Sequence, residues 1–543
     1  MKKIILSFIL ITAFGCLFAQ KNIEKSQSFE LFEGYTKVIM LRNNNTGLLE
    51  VTKKDGISFT LFDGARKKIS SKKLDLKKVP ENLGFSNVEG CYDIGGDFTF
   101  FIFVIKENSE GKKMPSLFRV ILNGSTGDIK SEDVVTELNE YKMSQGYGLV
   151  FGDVDPPGIF VEKDPESDYY AVIRYNTLDA ETNNRIEVIH YGPDHKEIQR
   201  GKYVTPSNKY KFTKYIGAYV HKDNYVLIGT YAFNTEKSGG EEARYYVAQL
   251  NKGKTNFVQK ELAYTAFCKK ANGVFTFNKV RNVVNMTIVQ YKGLTSFGGI
   301  LFQSIDPTTL QLEKPYTPDL SKLDEYYTTK MERKKSVYSE SSTPQGFFID
   351  KTGNLTAMYQ YVIYKVQPGQ YGMPAQIIAT ELMDIGLVTM GPDGKVIKST
   401  MIPYATQRNG DKGTFSAIDV KKGKKGPFPF MGGTAWDWCF GIDLISTETN
   451  DYLLCNNLMA NVDMPENEKP KMITAIKYTN AMKYTLSGPT PKKDYIFGTP
   501  EGKKDGHYCN FSGSDYNPTT KIYATVVADL KDDKSTVVWI KIE

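Results

Sequence analysis

Two of the chain's three tryptophans flank a carboxylate, in Trp436-Asp437-Trp438. Flat aromatic faces beside a hydrogen-bonding acid are what a sugar ring or an extended peptide requires. The rings supply apolar area and the acid fixes orientation. Tyr371, Tyr404 and Arg408 fall in nearby stretches and complete the candidate binding set. Acid catalysis has weaker pointers. Asp437, Asp463, Glu466 and Asp494 are carboxylates that a glycoside hydrolase or lyase would have to bring together in pairs. Asp153 and Asp155, two apart before Pro156-Pro157, offer oxygen ligands to calcium but too few to define a site. His190, His195, His221 and His507 have no ligand spacing and the cysteines form no C-x-x-C pair, so neither metal nor cofactor is expected. The sequence holds no Gly-x-Ser-x-Gly elbow, His-Glu-x-x-His, phosphate-binding glycine loop or EF-hand spacing. No catalytic residue is nominated.

The elements that position these residues repeat. An apolar strand meets a tight polar turn in Ile57–Phe62 with Asp63-Gly64, and again in Leu117–Leu122 with Asn123-Gly124. The unit returns in Arg185–Tyr191, Tyr245–Leu250, Ile300–Ile305, Gly386–Met390 and Met472–Tyr478, each followed by Gly, Pro, Asn or Asp. Such residues reverse the chain because they supply positive φ or preset turn angles. A second strand pair precedes each unit, as in Ile159–Glu162 with Tyr169–Tyr175 and Phe347–Asp350 with Leu355–Tyr364. The period is about 69 residues, which gives eight units of four strands. A four-stranded meander cannot bury both of its faces alone, so neighbours must stack, and the closed solution is a β-propeller. The fold class is therefore all-β, eight blades being favoured over seven. The last unit ends in Val537–Ile542 without a fourth strand, and Phe29–Phe32 is expected to supply it.

With strands a, b, c and d in each blade, the a–b and c–d turns share one end, and the b–c and d–a connections share the other. The long segments 316–345, 366–380, 403–434, 459–471 and 490–506 all belong to the second kind. Binding residues gather on long connections of a rigid scaffold, so that face is expected to carry function. In one of them Thr317 is the expected N-cap of a helix with the stripe Leu320, Leu323, Tyr327 and Met331, ending at Arg333-Lys334-Lys335. Lys421–Lys425 followed by Pro427-Phe428-Pro429-Phe430 reads as a basic, then apolar, solvated loop.

Met1–Ala19 has a basic start, an apolar stretch Ile4–Phe14 and a polar exit, the pattern of a signal peptide cleaved before Gln20. Lipoprotein processing at Cys16 is the alternative and would leave a lipid anchor there. Beyond it no apolar run reaches membrane-spanning length. Cys91, Cys268, Cys439, Cys455 and Cys509 are an odd set, read as small buried hydrophobes, with Cys439–Cys455 as the one available pairing. A net charge of +7 over 543 residues gives no nucleic-acid signature.

The Phe18-Ala19-Gln20 junction and the Tyr-, Asn- and Lys-rich repeat texture resemble exported Bacteroidota proteins of an uncharacterised, propeller-like family. The resemblance implies the periplasm, the outer membrane or the extracellular side, and it carries over no functional residue. The leading expectation is an exported binding or scaffolding module that presents its long-connection face to a glycan, peptide or envelope protein. A propeller-based glycoside hydrolase or lyase and a structural envelope component are the alternatives.

Overall fold

The computed structural model describes residues 23–30, 34–52, 55–83, 86–140, 157–177, 179–206, 209–234, 242–263, 268, 270–292, 297–331, 341–369, 375–409, 441–464, 468–502, 506–529 and 532–543. Eight antiparallel sheets follow one another along the chain. Blade 1 comprises Tyr35–Met40, Thr46–Thr52, Gly56–Phe62 and Lys68–Lys73. Blade 2 runs from Ser86 to Glu137, blade 3 from Gly158 to Lys202 and blade 4 from Phe212 to Glu261. Blade 5 has Lys270–Asn278, Val283–Tyr291 and Phe297–Ile305, with Leu312 and Tyr316 bridged to its third strand in place of a full outer strand. Blade 6 is the largest, with Ser342–Ile349, Leu355–Gln367, Gln376–Met390 and Val396–Asn409. Blade 7 comprises Ile442–Ser446, Asp451–Leu458, Thr479–Thr485 and Lys492–Tyr495.

Blade 8 joins the two ends of the chain. Tyr508–Cys509 and Asp515–Asn517 form its inner edge beside Ile522–Asp529 and Lys534–Lys541. Its outer strand is N-terminal: Ile23, Glu24 and Lys25 pair with Ile540, Trp539 and Val538, and Phe29 pairs with Ser535. The expected closing strand is therefore present, and it begins earlier than Phe29–Phe32. Trp539 is 1% exposed, meets Phe62 edge-on at 5.4 Å and donates its indole N–H to Thr46 Oγ1 at 3.0 Å. Trp539 thus fills the seam between blades 8 and 1.

Period-2 alternation explains the ring. Successive residues of a strand point to opposite faces, and here both faces are apolar because each blade is covered on both sides. Eight apolar clusters result, one in every gap between neighbours, from blades 1 and 2 round to blades 8 and 1. In the first gap Phe59 and Phe98 meet at 4.9 Å, both at 0% exposure. Burial of a side chain of this size is worth roughly 2–3 kcal/mol.

The short turns are built alike. Asp63, Gly192 and Gly391 each exchange backbone hydrogen bonds with the residues three and four positions on. Carboxylates of Asp63, Asp194, Asp306 and Asp393 accept backbone N–H groups within these turns.

Several expectations need correction. The third strand of blade 7 is Thr479–Thr485, because Ile476–Tyr478 is a 3₁₀ turn. The stretch before it is connection rather than strand, with Ile473 and Ile476 buried and Ile473 bridged to Thr406. The segments 366–380 and 403–434 begin as prolonged strands, which leaves 368–375 and 410–441 as the connections. The helix spans Ser321–Met331, and Thr317 does not cap it. Its hydroxyl donates to the Ile300 carbonyl instead, while Asp319 accepts the N–H of Ser321. Leu320 and Leu323 pack into the gap between blades 5 and 6. Among the described residues Cys91, Cys268, Cys455 and Cys509 are buried and free, as expected of small buried hydrophobes, while Cys439 lies outside them. Among the described residues no helix is long and apolar enough to cross a membrane.

Closure by the N-terminal strand predicts that deleting residues up to Glu30 exposes the edge of Lys534–Lys541 and lowers the urea midpoint of the whole ring. An unchanged midpoint in the truncated chain would show that the strand is an accessory rather than the closing element.

Candidate functional site

The two poles of the ring differ. The a–b and c–d turns are short, such as 41–45, 63–67 and 391–395, and occupy one pole. The b–c and d–a connections start and end at the other, and every long one between the described strands does so: 138–157, 317–341, 410–441, 459–478 and 496–507. The topology of an antiparallel meander requires this separation.

Charged groups cross-link the short-turn pole. The Arg42 guanidinium bonds Asp93 at 3.1 Å and Asp168 at 2.6 Å, and Asp168 also accepts the N–H of Gly95 at 3.0 Å, which ties blades 1, 2 and 3 together. Arg119 bonds Asp133 at 2.7 Å, the His195 carbonyl at 3.0 Å and the Tyr170 hydroxyl. Tyr170 in turn meets His195 Nδ1 at 3.2 Å. Burial first, then the Arg119 charge, holds His195 down at about 4.

The channel side of blades 7, 8 and 1 gathers a second set. Lys37, 2% exposed, donates to the Ser514 carbonyl at 2.6 Å. Tyr523 donates to Asp443 Oδ2 at 3.0 Å and contacts the Ser514 hydroxyl, while Asp515 accepts the N–H of Met40 at 2.8 Å. Burial raises Asp515, with Lys37 pulling the other way; burial, then the Asp443 charge, raises Tyr523. A tyrosine held so firmly protonated donates hydrogen bonds and is no base at neutral pH. Lys37–Ser514, Met40–Asp515 and Tyr523–Asp443 each join one blade to the next, so the cluster acts as internal cross-linking. Sequence reading missed it. Its signal was a charge breaking an apolar strand, Lys37 ahead of Val38 and Asp443 between Ile442 and Leu444.

Of the nominated binding residues, the ring of Tyr404 is 0% exposed in the core between blades 6 and 7, its backbone N–H directed at Asp384 at 3.2 Å. Arg408, 8% exposed, lies four residues further along the same outer strand. Tyr371, Trp436, Asp437 and Trp438 lie outside the described residues, as do Asp153, Asp155, Cys439, Glu466 and the basic segment 421–430. Asp463 faces the Tyr495 hydroxyl at 3.5 Å and Asp494 pairs with Lys492 at 3.4 Å, both at the outer side of blade 7. Burial holds His190, beside Gln199, at about 4, His221 stacks on Tyr225 at 5.1 Å, and His507 lies near Phe497. Among the described residues no cluster of His, Cys, Asp and Glu could hold a metal ion.

No family model matches the chain, and no curated protein matches it. Solved structures similar to it include a prolyl endopeptidase, with TM-score 0.39, 11% identity and coverage of 92% of this chain and 55% of the other. The chain thus spans about half the length of that enzyme. Polysaccharide lyase Uly1 gives TM-score 0.36 at 8% identity, covering 87% and 94% of the two chains. An exo-1,5-α-L-arabinanase from a bovine ruminal metagenomic library gives 0.25 at 8% identity, covering 54% and 98%. Similarity at this level assigns no residue and no activity. The eight-bladed propeller stands on the strand pairing of this chain.

One carboxylate offers a direct check on the electrostatics of the blade 8–blade 1 gap. Glu50 lies in the second strand of blade 1 beside Thr36, and burial alone raises it from the ordinary 4.5 to about 7. The folded chain therefore keeps its proton to higher pH than the unfolded chain. Stability falls as pH rises from 4.5 to 7, and the penalty is complete above that window. Glu50→Gln is expected to raise unfolding free energy by about 1–2 kcal/mol at pH 8 and to leave it unchanged at pH 4. An equal difference at both pH values would rule burial out as the cause.

Proposed function

We propose that this chain is an exported binding propeller that receives a glycan or a peptide on the pole formed by its b–c and d–a connections. The observation that carries the reading is the partition of connections: all the long ones between described strands start and end at one pole, while ion pairs cross-link the opposite pole. A rigid ring with one elaborated end places recognition residues without having to order them on binding, which lowers the entropic cost of association.

Trp436, Asp437 and Trp438 belong to the connection between the outer strand of blade 6 and the inner strand of blade 7, which starts and ends at that pole. With Tyr371 they are the contacts we propose, the tryptophans stacking on a ring and Asp437 fixing its hydroxyls or a peptide N–H. In this reading Tyr404 and Arg408 support the strand that carries the connection. We place the protein in the periplasm or at the outer membrane, on the signal-peptide pattern of Met1–Ala19.

Binding rather than catalysis is favoured by the described carboxylates. Asp443 and Asp515 take part in cross-links between blades, and Asp463 and Asp494 lie at the outer side of blade 7.

The test is a glycan and peptide array probed with the full chain and with Trp436→Ala and Trp438→Ala. Each substitution is expected to weaken capture of the retained ligand at least tenfold with little change in melting temperature. Capture that stays intact while the melting temperature drops would assign both tryptophans to packing and remove the proposed contacts.

A further inference from the structure

The short-turn pole has a feature that its ion pairs do not absorb. Where blade 8 meets blade 1, the turns 41–45, 63–67 and 518–521 surround a cavity of about 220 Å³. Met40 and Leu41 give it an apolar lining, and Asn44, Arg66, Asn517 and Thr520 a polar one. The volume suits one sugar ring and is too small for an oligosaccharide or a drug-sized molecule.

Arg66 is the central group. Its side chain is 13% exposed, its guanidinium lies 5.0 Å over the Trp539 ring, and Nε donates to Glu24 at 2.7 Å. Its two terminal nitrogens have no hydrogen-bond partner among the described residues. The same holds for the Asn44 amide, the Thr520 hydroxyl and the Asn517 amide nitrogen. Asn517 spends only its Oδ1, on the N–H groups of Thr519 and Thr520 at 2.9 and 3.1 Å. Asn44 and Thr520 are exposed and Arg66 and Asn517 half-buried, so these donors are free for a ligand that displaces their water.

The turn sets where the Arg66 side chain points. In the equivalent turn of blade 6 the left-handed position is Gly394, at φ +79. Blade 1 has Arg66 there, at φ +66, where a side chain costs about 1 kcal/mol or more. His195 takes the same position in blade 3 and is held by Tyr170. The corresponding restraints on Arg66 are Trp539 and Glu24, and both leave its terminal nitrogens available. Nearby acids do not occupy them: Asp515 bonds the Met40 N–H and Asp63 the Lys67 N–H.

We propose that this seam binds a monosaccharide-sized carboxylate, a uronate, with its carboxylate bidentate on the terminal nitrogens of Arg66. Planar guanidinium donors match two carboxylate oxygens, and a charge-assisted pair in a partly desolvated cavity outweighs a neutral contact. Asn44, Asn517 and Thr520 take the ring hydroxyls, and Met40 receives the apolar face of the ring. The site lies at the opposite pole from the proposed glycan- or peptide-binding face and stands or falls apart from it.

Calorimetric titration of the full chain with D-galacturonate and with D-galactose tests the assignment. Galacturonate is expected to bind at least tenfold tighter than galactose. Asn517→Asp keeps the turn's acceptor oxygen but adds a negative charge to the cavity. It should weaken galacturonate at least tenfold without changing the melting temperature. Arg66→Gln should abolish the preference for the acid. Equal binding of the two sugars, or galacturonate affinity untouched by Asn517→Asp, would overturn the proposal.

Discussion

A four-stranded meander with two apolar faces is unstable alone, and the rest of this structure follows from that constraint. Each blade must be covered on both sides, so the sheets stack until the first meets the last. The eight gaps are filled by eight separate apolar clusters rather than one central core. The ring therefore depends on closure where the two ends of the chain meet. There the N-terminal strand pairs with Lys534–Lys541, and Trp539 fills the space between blade 8 and blade 1.

Closure also separates the connections by type. Antiparallel order sends short turns to one pole and leaves the other free to lengthen. Stability and recognition can then change independently: Arg42, Asp93 and Asp168 bind blades together at one end, while the connections around blades 5 to 8 extend at the other. The long hairpins of blade 6, reaching Gln367 and Asn409, carry the scaffold outward towards those connections. The Arg66 cavity shows that the plain pole also offers donors, at the seam where the chain ends meet.

The ring was legible from the sequence because its determinants are local. Turns such as Asp63-Gly64 and Gly391-Pro392-Asp393-Gly394 mark the hairpins, and the alternation between them sets the faces, so strand pairs such as Tyr170–Tyr175 with Ile186–Tyr191 were recoverable. Blade 7 misled because Met472–Tyr478 is as apolar as a strand, whereas its true third strand, Thr479–Thr485, reads polar. Thr317 misled because a hydroxyl suited to capping found the Ile300 carbonyl across the sheet, a tertiary partner no local pattern encodes. The same limit hid the channel cluster. Lys37 and Ser514 are 477 positions apart, and only the closed ring brings them within 2.6 Å. Tyr404 appeared as one of several aromatic candidates, and its burial between blades 6 and 7 becomes visible only once the blades stack.

Assignment of recognition to the elaborated pole is tested most directly by hydrogen exchange, comparing the full chain free and saturated with the array-selected glycan or peptide. Slowed exchange is expected in the segments 317–341, 368–375, 410–441, 459–478 and 496–507, with the turns 41–45, 63–67 and 391–395 unchanged. Slowing concentrated in those turns, or spread evenly over both poles, would contradict the account.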